Sequence, residues 1–300
     1  MEYDELGLFE ENAAEAGLPW NGTPSVRRAE VGGISALVWG DQPPELVLVH
    51  GGAQNAHTWD TTALALGRPL VAVDLPGHGH SAWRDDHDYR PASMAPQVAA
   101  AIEALAPDAL AVCGMSLGGL TSLALTDQRP ELVRKLALVD ITPGVNGEKS
   151  ADIRAFVSGP ETFDSFDVLL ERTMQFNPTR SESSLRRGIL HNAVPNEDGT
   201  WRWRYDRLRM ESVSDAGQST AGSDEAIVVF GALWDAVSRL TCPLLLLRGS
   251  TSPVVDDDDV AELRRRQPEA DVVVVDGAGH SIQGDKPVEL AALLDKFLDS

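Results

Sequence analysis

An apolar run that ends in a glycine-flanked serine constrains this chain more than any other stretch. Residues 111–120 read Ala-Val-Cys-Gly-Met-Ser-Leu-Gly-Gly-Leu, so a segment typical of a buried strand precedes Ser116 and a segment typical of a helix follows it. Such an abrupt change strains the serine backbone, and Gly114 and Gly118 leave space for the turn. The turn exposes the Ser116 hydroxyl above helical N–H groups that lack partners inside the helix. The pattern predicts a nucleophile whose attack creates an oxyanion.

Five further apolar runs predict strands of the same sheet. They are residues 46–49, 70–74, 132–139, 243–249 and 271–276. Short, continuously apolar runs are typical of parallel strands that are buried on both faces. Helical segments alternate with several of them, and a hairpin over residues 26–39 precedes them. The sequence therefore predicts an α/β fold with a mostly parallel sheet and helices on both sides.

The composition changes between residues 144 and 239. Charged residues mix there with phenylalanine and tryptophan, and helical spacing replaces the rhythm of strands. We expect this segment, 144–239, to be a helical cap inserted into a core domain formed by residues 26–143 and 240–300. Residues 1–25 are expected to form an N-terminal extension.

The net charge of −21 limits the partners of this chain. Such acidity argues against nucleic acid and anionic membrane surfaces as partners, because both are negatively charged. Basic and aromatic residues alternate at Trp201–Asp206, a pattern that also occurs in proteins that bind single-stranded nucleic acid. In so acidic a chain, packing within the cap is the better interpretation. We expect a small-molecule substrate, and the sequence carries no signal for an oligomeric state.

The sequence favours a cytoplasmic location. Cys113 and Cys242 lie beside expected buried strands and are interpreted as small core residues in a reducing compartment. The acidic N-terminus lacks the basic segment of a secretory signal, and no apolar run reaches the length of a membrane span.

Three groups of residues resemble metal or catalytic motifs and are better explained by structure. His78 and His80 form a His-x-His pair, but a Pro- and Gly-rich turn surrounds them and no third ligand is near. The acidic run Asp256–Asp259 precedes a helix, where it is typical of capping. His50 is interpreted as a hydrogen-bonded loop histidine. We therefore expect neither a cofactor nor a metal.

Four motifs taken together resemble the α/β-hydrolase fold superfamily over residues 26–300. They are His50-Gly51-Gly52, residues 74–81 (Asp-Leu-Pro-Gly-His-Gly-His-Ser), Gly114-Met115-Ser116-Leu117-Gly118 and Gly277-Ala278-Gly279-His280. Each motif is weak alone, but they occur in the expected order at the ends of expected strands. The resemblance implies a Ser, acid, His triad in that order along the chain.

The resemblance and the chemistry assign roles to individual residues. A serine hydroxyl needs an adjacent base, and His280 is the candidate because it follows the last strand in a glycine-flanked loop. The backbone N–H groups of Leu117 and Gly52 are the candidate donors of an oxyanion hole. Possible pocket-lining residues, taken from their positions alone, are Gln54, Asn55, Met115, Trp203 and Tyr205.

The acid departs from the pattern that is common in this superfamily. The position after the penultimate strand that matches the usual acid is Ser252, which carries no charge. Asp140 ends the strand after the helix that follows Ser116. This position resembles that of the acid in a subgroup of esterase-type hydrolases. We therefore expect Asp140 to be the acid. One of Asp256, Asp257, Asp258 and Asp259 is the first alternative, and a chain without a working acid is the second.

These observations predict a cofactor-free serine hydrolase that cleaves an ester or related acyl bond through an acyl-enzyme. Ser116 argues against epoxide hydrolases and haloalkane dehalogenases, which resemble this pattern but have aspartate at the position of this serine. The same triad also suits C–C bond hydrolases, thioesterases, lactonases, hydroxynitrile lyases and cofactor-free haloperoxidases. A binding protein that keeps the fold and pocket without turnover is the alternative from a different class.

Overall fold

An eight-stranded sheet organises the computed structural model, which describes residues 3–206 and 232–300. The strands are β1 (Val26–Val31), β2 (Ile34–Trp39), β3 (Leu46–Val49), β4 (Leu70–Val73), β5 (Ala111–Met115), β6 (Leu136–Val139), β7 (Thr162–Phe163), β8 (Ala193–Pro195), β9 (Trp201–Trp203), β10 (Leu244–Gly249) and β11 (Asp271–Val275). The large sheet has the order β1-β2-β4-β3-β5-β6-β10-β11. Its first three strands pair antiparallel and all later neighbours pair parallel, so the predicted α/β fold with a mostly parallel sheet is confirmed.

Helices follow most of the parallel strands. They are α1 (Phe9–Glu15), α2 (Asp60–Leu66), α3 (Pro91–Leu105), α4 (Leu117–Gln128), α5 (Ala151–Val157), α6 (Phe166–Phe176), α7 (Glu182–Asn192), α8 (232–239), α9 (Asp257–Arg266), α10 (Ile282–Asp285) and α11 (Pro287–Asp299). A 3₁₀ turn at Ala56–Trp59 precedes α2. None of the helices in residues 3–206 and 232–300 has the length and apolarity needed to cross a membrane.

Two apolar cores cover the two faces of the sheet. Successive residues of β5 alternate between them: Val112 packs into one core, whereas Cys113 and Met115 pack into the other. This alternation follows from the two-residue period of a strand and explains why the central strands are apolar throughout. Cys113 and Cys242 are both free thiols, so the structure has no bond between them. Burial of both faces leaves the carboxyl ends of the strands as the place where polar side chains gather.

The sequence analysis expected a helical segment between β6 and β10, but the structure shows strands there as well as helices. Its helices α5, α6 and α7 are accompanied by a three-stranded antiparallel sheet of order β7-β9-β8. Trp203 is buried and Arg202 is exposed, which shows that the Trp-Arg-Trp alternation at residues 201–203 has the two-residue period of a strand. The part of the expected cap that covers residues 207–231 lies outside the described residues.

The acidic run 256–259 begins helix α9, as the capping interpretation predicted. The Asp256 carboxylate accepts a hydrogen bond from the Asp259 N–H, and the Asp259 carboxylate accepts one from the Asp256 N–H. This reciprocal arrangement is a capping box. Lys149 bridges the two carboxylates at 2.8 and 2.7 Å. Asp256 and Asp259 of this run therefore cap the N-terminus of α9 and pair with Lys149.

Candidate active site

Ser116 occupies the strained turn that its sequence motif predicted. It lies between β5 and α4 with φ 51° and ψ −121°, a conformation that residues with a side chain rarely adopt. A methyl group on Gly114 would lie 2.5 Å from the carbonyl oxygen of Gly118, and one on Gly118 would lie 2.3 Å from that of Val49. The two glycines are therefore required because backbone segments meet closely around the serine.

Asp140 ends the strand next to that of Ser116. It also has a positive φ of 48°, and its carboxylate is fully buried. One carboxylate oxygen, Oδ1, accepts a hydrogen bond from the Gly249 N–H at 2.9 Å. The other, Oδ2, accepts one from the Ser252 hydroxyl at 2.5 Å. Each oxygen of this buried carboxylate therefore accepts a hydrogen bond.

His280 follows β11 and contacts Asp140. Its Nδ1 lies 2.8 Å from Asp140 Oδ2, and 16% of the side chain is exposed. Because the carboxylate is an acceptor, Nδ1 is assigned as the donor, which leaves a lone pair on Nε2 in the neutral ring. Nε2 is buried and has no hydrogen-bond partner in residues 3–206 and 232–300, so Ser116 is not hydrogen-bonded to it there. In enzymes of known mechanism, the hydrogen bond between nucleophile and base is often long in unliganded structures.

The structure brings together Asp140 and His280 but not His280 and the acidic run 256–259. Asp256 and Asp259 are engaged by Lys149 and by each other, and Asp257 forms an ion pair with Arg248. Ser252, at the position that matches the usual acid, contacts Asp140 itself. Sequence reasoning noted only that this serine lacks a charge and missed its contact with the carboxylate.

The two residues expected to supply oxyanion donors, Leu117 and Gly52, are neighbours in space. Leu117 is the first residue of α4, where N–H groups precede the first internal hydrogen bonds of a helix. A methyl group on Gly52 would lie 3.7 Å from the side chain of Leu117. At the neighbouring Gly51 a methyl group would lie 3.2 Å from Ser116 Cβ and 3.3 Å from the amide oxygen of Gln54. The glycine pair thus lets the loop after β3 lie against the serine turn.

Two of the histidines whose sequence motifs resemble metal or catalytic sites, His50 and His78, are hydrogen-bonded to nearby backbone. His50 Nδ1 donates to the carbonyl of Gly51, and Nε2 accepts from the Leu75 N–H at 2.9 Å. Burial lowers the pKa of His50 to about 3, so the ring is neutral. His78 Nδ1 donates to the carbonyl of Pro76, and burial lowers its pKa as well. Both rings have a structural explanation, as expected.

A cavity of about 140 Å³ is lined by residues that follow the Gly51-Gly52 pair and by residues that follow His280, although neither Ser116 nor His280 lines it. Of the expected lining residues, Gln54, Asn55 and Trp203 contribute to its wall. Met115 and Tyr205 do not line it; both are buried, and Tyr205 stacks on Trp203. The remaining wall comes mainly from α7 and from the 3₁₀ turn with the start of α2, so residues of the inserted segment and of the core face the same space.

A buried polar cluster at one end of this cavity was not predicted from the sequence. His57 Nδ1 lies 2.9 Å from Asp60, and Nε2 lies 3.2 Å from Glu5. Burial alone would lower the pKa of His57, but the two carboxylates outweigh it and raise the pKa to about 9. His191 stacks on His57 with ring centroids 3.7 Å apart and receives a hydrogen bond from Tyr3. Only His57 and Asp60 are close in the chain, and the other members are 52 or more residues from their partners, so no local motif indicates the cluster.

This cluster also has the residue types of a metal site. Ligand atoms of His57, Asp60 and His191 lie within 4.8 Å of one another. However, the two imidazole planes are within 9° of parallel, and lone pairs in parallel, stacked planes do not converge on one ion. The arrangement in this structure is therefore a hydrogen-bonded network, and an ion would require one ring to turn.

A second unpredicted contact joins the inserted segment to the loop of His280. Asp285 accepts a hydrogen bond from the Gly279 N–H at 2.8 Å through one carboxylate oxygen. The other oxygen accepts one from the hydroxyl of Thr179 at 3.1 Å. Thr179 lies between α6 and α7, so this carboxylate links the cavity wall to the backbone next to the histidine.

The fold and these contacts define an α/β hydrolase, and the comparisons agree. The family model described as alpha/beta hydrolase fold matches residues 44–287. The chain belongs to this family, and the resemblance inferred from its motifs is confirmed, as is the prediction that it is an α/β-hydrolase enzyme.

Individual relatives are also similar over nearly their whole length. The chain is 44% identical to esterase Rv0045c of Mycobacterium tuberculosis, over 99% of this chain and 96% of that protein. A solved structure of that esterase, described with its inhibition by transition metals, superposes with a TM-score of 0.86 at 41% identity and covers 100% of both chains. The sn-1-specific diacylglycerol lipase ABHD11 of Xenopus laevis is 28% identical, over 86% of this chain and 80% of that protein.

Proposed function

We propose that this chain is a carboxylic ester hydrolase in which Ser116, His280 and Asp140 form the catalytic triad. The observation that carries the proposal is the state of His280: Nδ1 is hydrogen-bonded to the buried Asp140 and Nε2 is unpartnered in the described residues. An imidazole held in this way can accept a proton at Nε2 while the carboxylate stabilises the imidazolium that forms. The similarity to a named esterase supports the choice of an ester bond.

The proposed reaction has two halves. In the first, His280 Nε2 removes the proton of the Ser116 hydroxyl as its oxygen attacks the ester carbonyl, and the same proton is then given to the leaving alcohol. This leaves an acyl group on Ser116. In the second half, His280 activates a water molecule in the same way, and hydrolysis releases the acid and restores the serine. Side chains supply every proton transfer, so the proposed mechanism needs no cofactor.

The oxyanion that forms in each half would be stabilised by the N–H groups of Leu117 and Gly52. Their neighbouring positions beside the serine turn support this assignment. Fixed donors of this kind stabilise the transition state by about 2.7–4 kcal/mol each, because they need no rearrangement when the charge develops. The strained φ of Ser116 keeps its hydroxyl at the start of α4, where these donors lie.

The domain division is part of the same proposal. We assign residues 26–143 and 240–300 to the catalytic core, 144–239 to a cap, and 1–25 to an extension. The cavity walls support this division, since α6 and α7 face residues of the core across it. The cap would then select a small-molecule substrate. The free thiols of Cys113 and Cys242 are consistent with the proposed cytoplasmic location.

Hydrolysis of p-nitrophenyl esters of increasing acyl length tests the proposal. We expect turnover by the wild type and a loss of several orders of magnitude in kcat in Ser116→Ala and Asp140→Asn, by analogy with the serine protease triad. Asp257→Asn is the matched control, because it neutralises an exposed member of the acidic run, and we expect it to retain activity. Activity close to wild type in Asp140→Asn would reject Asp140 as the acid.

A failure of the wild type on every ester would instead favour the same triad acting on C–C, thioester or lactone bonds, or a role in ligand binding. Labelling by a fluorophosphonate separates these outcomes. Labelling of the wild type but not of Ser116→Ala indicates an activated serine, whereas no labelling of either protein favours ligand binding.

A further inference from the structure

Arg180 brings an uncompensated positive charge to the cavity lined by Gln54, Asn55 and Trp203. It lies between α6 and α7, and its guanidinium lines the cavity. One terminal nitrogen donates to the Ser184 hydroxyl at 2.5 Å, whereas Nε is buried and has no hydrogen-bond partner in the described part of the chain. A buried donor without a partner costs free energy, more so on a charged group.

The neighbouring Arg187 shows what a structural arginine looks like in the same wall. Its guanidinium donates to Asn12, Ser183 and Glu15. Arg180 forms no ion pair within residues 3–206 and 232–300; the closest acidic influences are Asp285 and Glu15, which act at longer range. Both carboxylates are already engaged, Asp285 by Gly279 and Thr179, and Glu15 by Arg187 and Ser181.

Arg180 lines the same cavity as Gln54, a residue next to the proposed nucleophile. Its guanidinium packs on α10: a methyl group on Gly284 would lie 2.9 Å from Arg180 Cζ. Gln283 and Gln54 line the same cavity, and Gln54 also flanks Ser116 across Gly51. The cavity thus extends from Gln54, which lies next to the serine turn, to the arginine. A cavity of about this volume accommodates a group the size of benzene.

We propose that Arg180 forms an anion-binding subsite that accepts a carboxylate on the substrate, several bonds from the ester carbonyl. The inference rests on the proposed function and adds a substrate class to it: esters of dicarboxylic acids in which the second acid group is free. A guanidinium fork binds a carboxylate through two parallel hydrogen bonds, and Nε with a terminal nitrogen forms such a fork. The overall charge of −21 gives an anion no long-range attraction, so the preference would arise locally at Arg180.

Two methyl esters of equal shape test this subsite. Monomethyl glutarate carries a carboxylate where methyl 5-methylhexanoate carries an isopropyl group, and methanol release gives kcat/KM for each. The wild type is expected to prefer the half ester. Arg180→Met is expected to lower that preference about 10- to 100-fold, the value of a charge-assisted hydrogen bond, with little change for the neutral ester. Arg180→Lys is expected to lie between them, because lysine keeps the charge but loses the fork.

Arg202→Met is the matched control, since it removes an equal charge from an exposed strand position outside the cavity. We expect the preference to remain unchanged there. An unchanged preference in Arg180→Met, or an equal loss on both esters, would overturn the subsite and leave the proposed esterase activity intact.

A binding measurement tests the subsite separately from catalysis. Glutarate is expected to raise the melting temperature of the wild type and of Arg202→Met but not of Arg180→Met. If p-nitrophenyl esters and methyl esters are all inert, the proposed function fails while this measurement still decides the subsite. No stabilisation of the wild type by glutarate, together with no preference for the half ester, would overturn it.

Discussion

The hydroxyl of Ser252 lies 2.5 Å from Asp140 Oδ2, the same carboxylate oxygen that contacts His280 Nδ1. The two residues are 112 positions apart in the chain. Ser252 occupies the position that matches the usual acid of the fold, and its side chain donates to the proposed acid on the neighbouring strand. The carboxylate and the hydroxyl that donates to it thus lie after the ends of two different strands, β6 and β10.

Removing this hydroxyl tests its contribution. We expect Ser252→Ala to lower the free energy of unfolding by about 1.5–3 kcal/mol, because a buried carboxylate loses one of its donors. In the proposed mechanism, kcat/KM should also fall about tenfold, since Asp140 then holds the imidazole less firmly. Denaturant unfolding and ester hydrolysis measure the two effects. Ser250→Ala, an exposed change in the same loop, should be near neutral; equal losses in both variants would contradict the prediction.

An exchange of the two side chains tests whether both strand ends can carry the acid. We expect Asp140→Ser combined with Ser252→Asp to recover part of the activity that Asp140→Ser alone loses, because the two side chains already meet beside the histidine. Ser252→Asp alone should destabilise the protein through repulsion between two buried carboxylates. The kcat of the four proteins forms a double-mutant cycle. A double variant no more active than Asp140→Ser would reject the idea.

The close packing around Gly118, next to the serine turn, leads to a prediction about stability. Gly118→Ala would place a methyl group 2.3 and 2.4 Å from the carbonyl oxygens of Val49 and His50, which are backbone atoms that cannot move alone. We expect a loss of about 1–3 kcal/mol or more. Gly188→Ala is the control, because nothing lies within 4 Å of a methyl group there and α7 continues through it. Thermal unfolding should show that variant unchanged or more stable. Similar behaviour of the two would disprove the explanation.

The His57 cluster predicts a loss of stability at alkaline pH. The folded pKa of about 9 exceeds the usual 6.5, so the folded state holds the proton more tightly than the unfolded chain. The resulting stabilisation is complete below pH 6.5 and is lost as the pH rises through 9, with an upper limit of about 3 kcal/mol. Glu5, Asp60 and His191 surround the ring. Melting temperatures from pH 6 to 10 should show this slope in the wild type but not in His57→Gln; parallel curves would contradict it.

The sequence predicted the sheet well because the relevant signals are local. Each central strand is a short apolar run bounded by glycine or a polar residue. Gly114 and Gly118 indicate the turn at Ser116. The same logic failed at residues 201–203, where a two-residue alternation of tryptophan and arginine was assigned to a helical segment. The alternation itself was the correct signal, and the surrounding helices obscured it.

The polar contacts of the site were less predictable, because they join residues that are distant in the chain. Asp140 was identified from its place after a strand, but the Ser252 hydroxyl that supports it depends on how two loops meet. Arg180 and Arg187 look alike in sequence. Both line the cavity, but only Arg187 contacts Asn12 and Glu15 of α1, whereas the guanidinium of Arg180 donates to Ser184 alone and its Nε has no partner in the described residues.

Ser116 and Asp140 stand at the ends of β5 and β6, which are paired directly and connected through α4. These two residues therefore belong to one strand-helix-strand unit that can form from contiguous chain. His280 comes from a segment 140 residues beyond Asp140, after β10 and β11 have been added to the edge of the sheet. During synthesis, the chain would carry the proposed nucleophile and acid long before it carried the proposed base. In the proposed mechanism, activity would then begin only when the last strand docks.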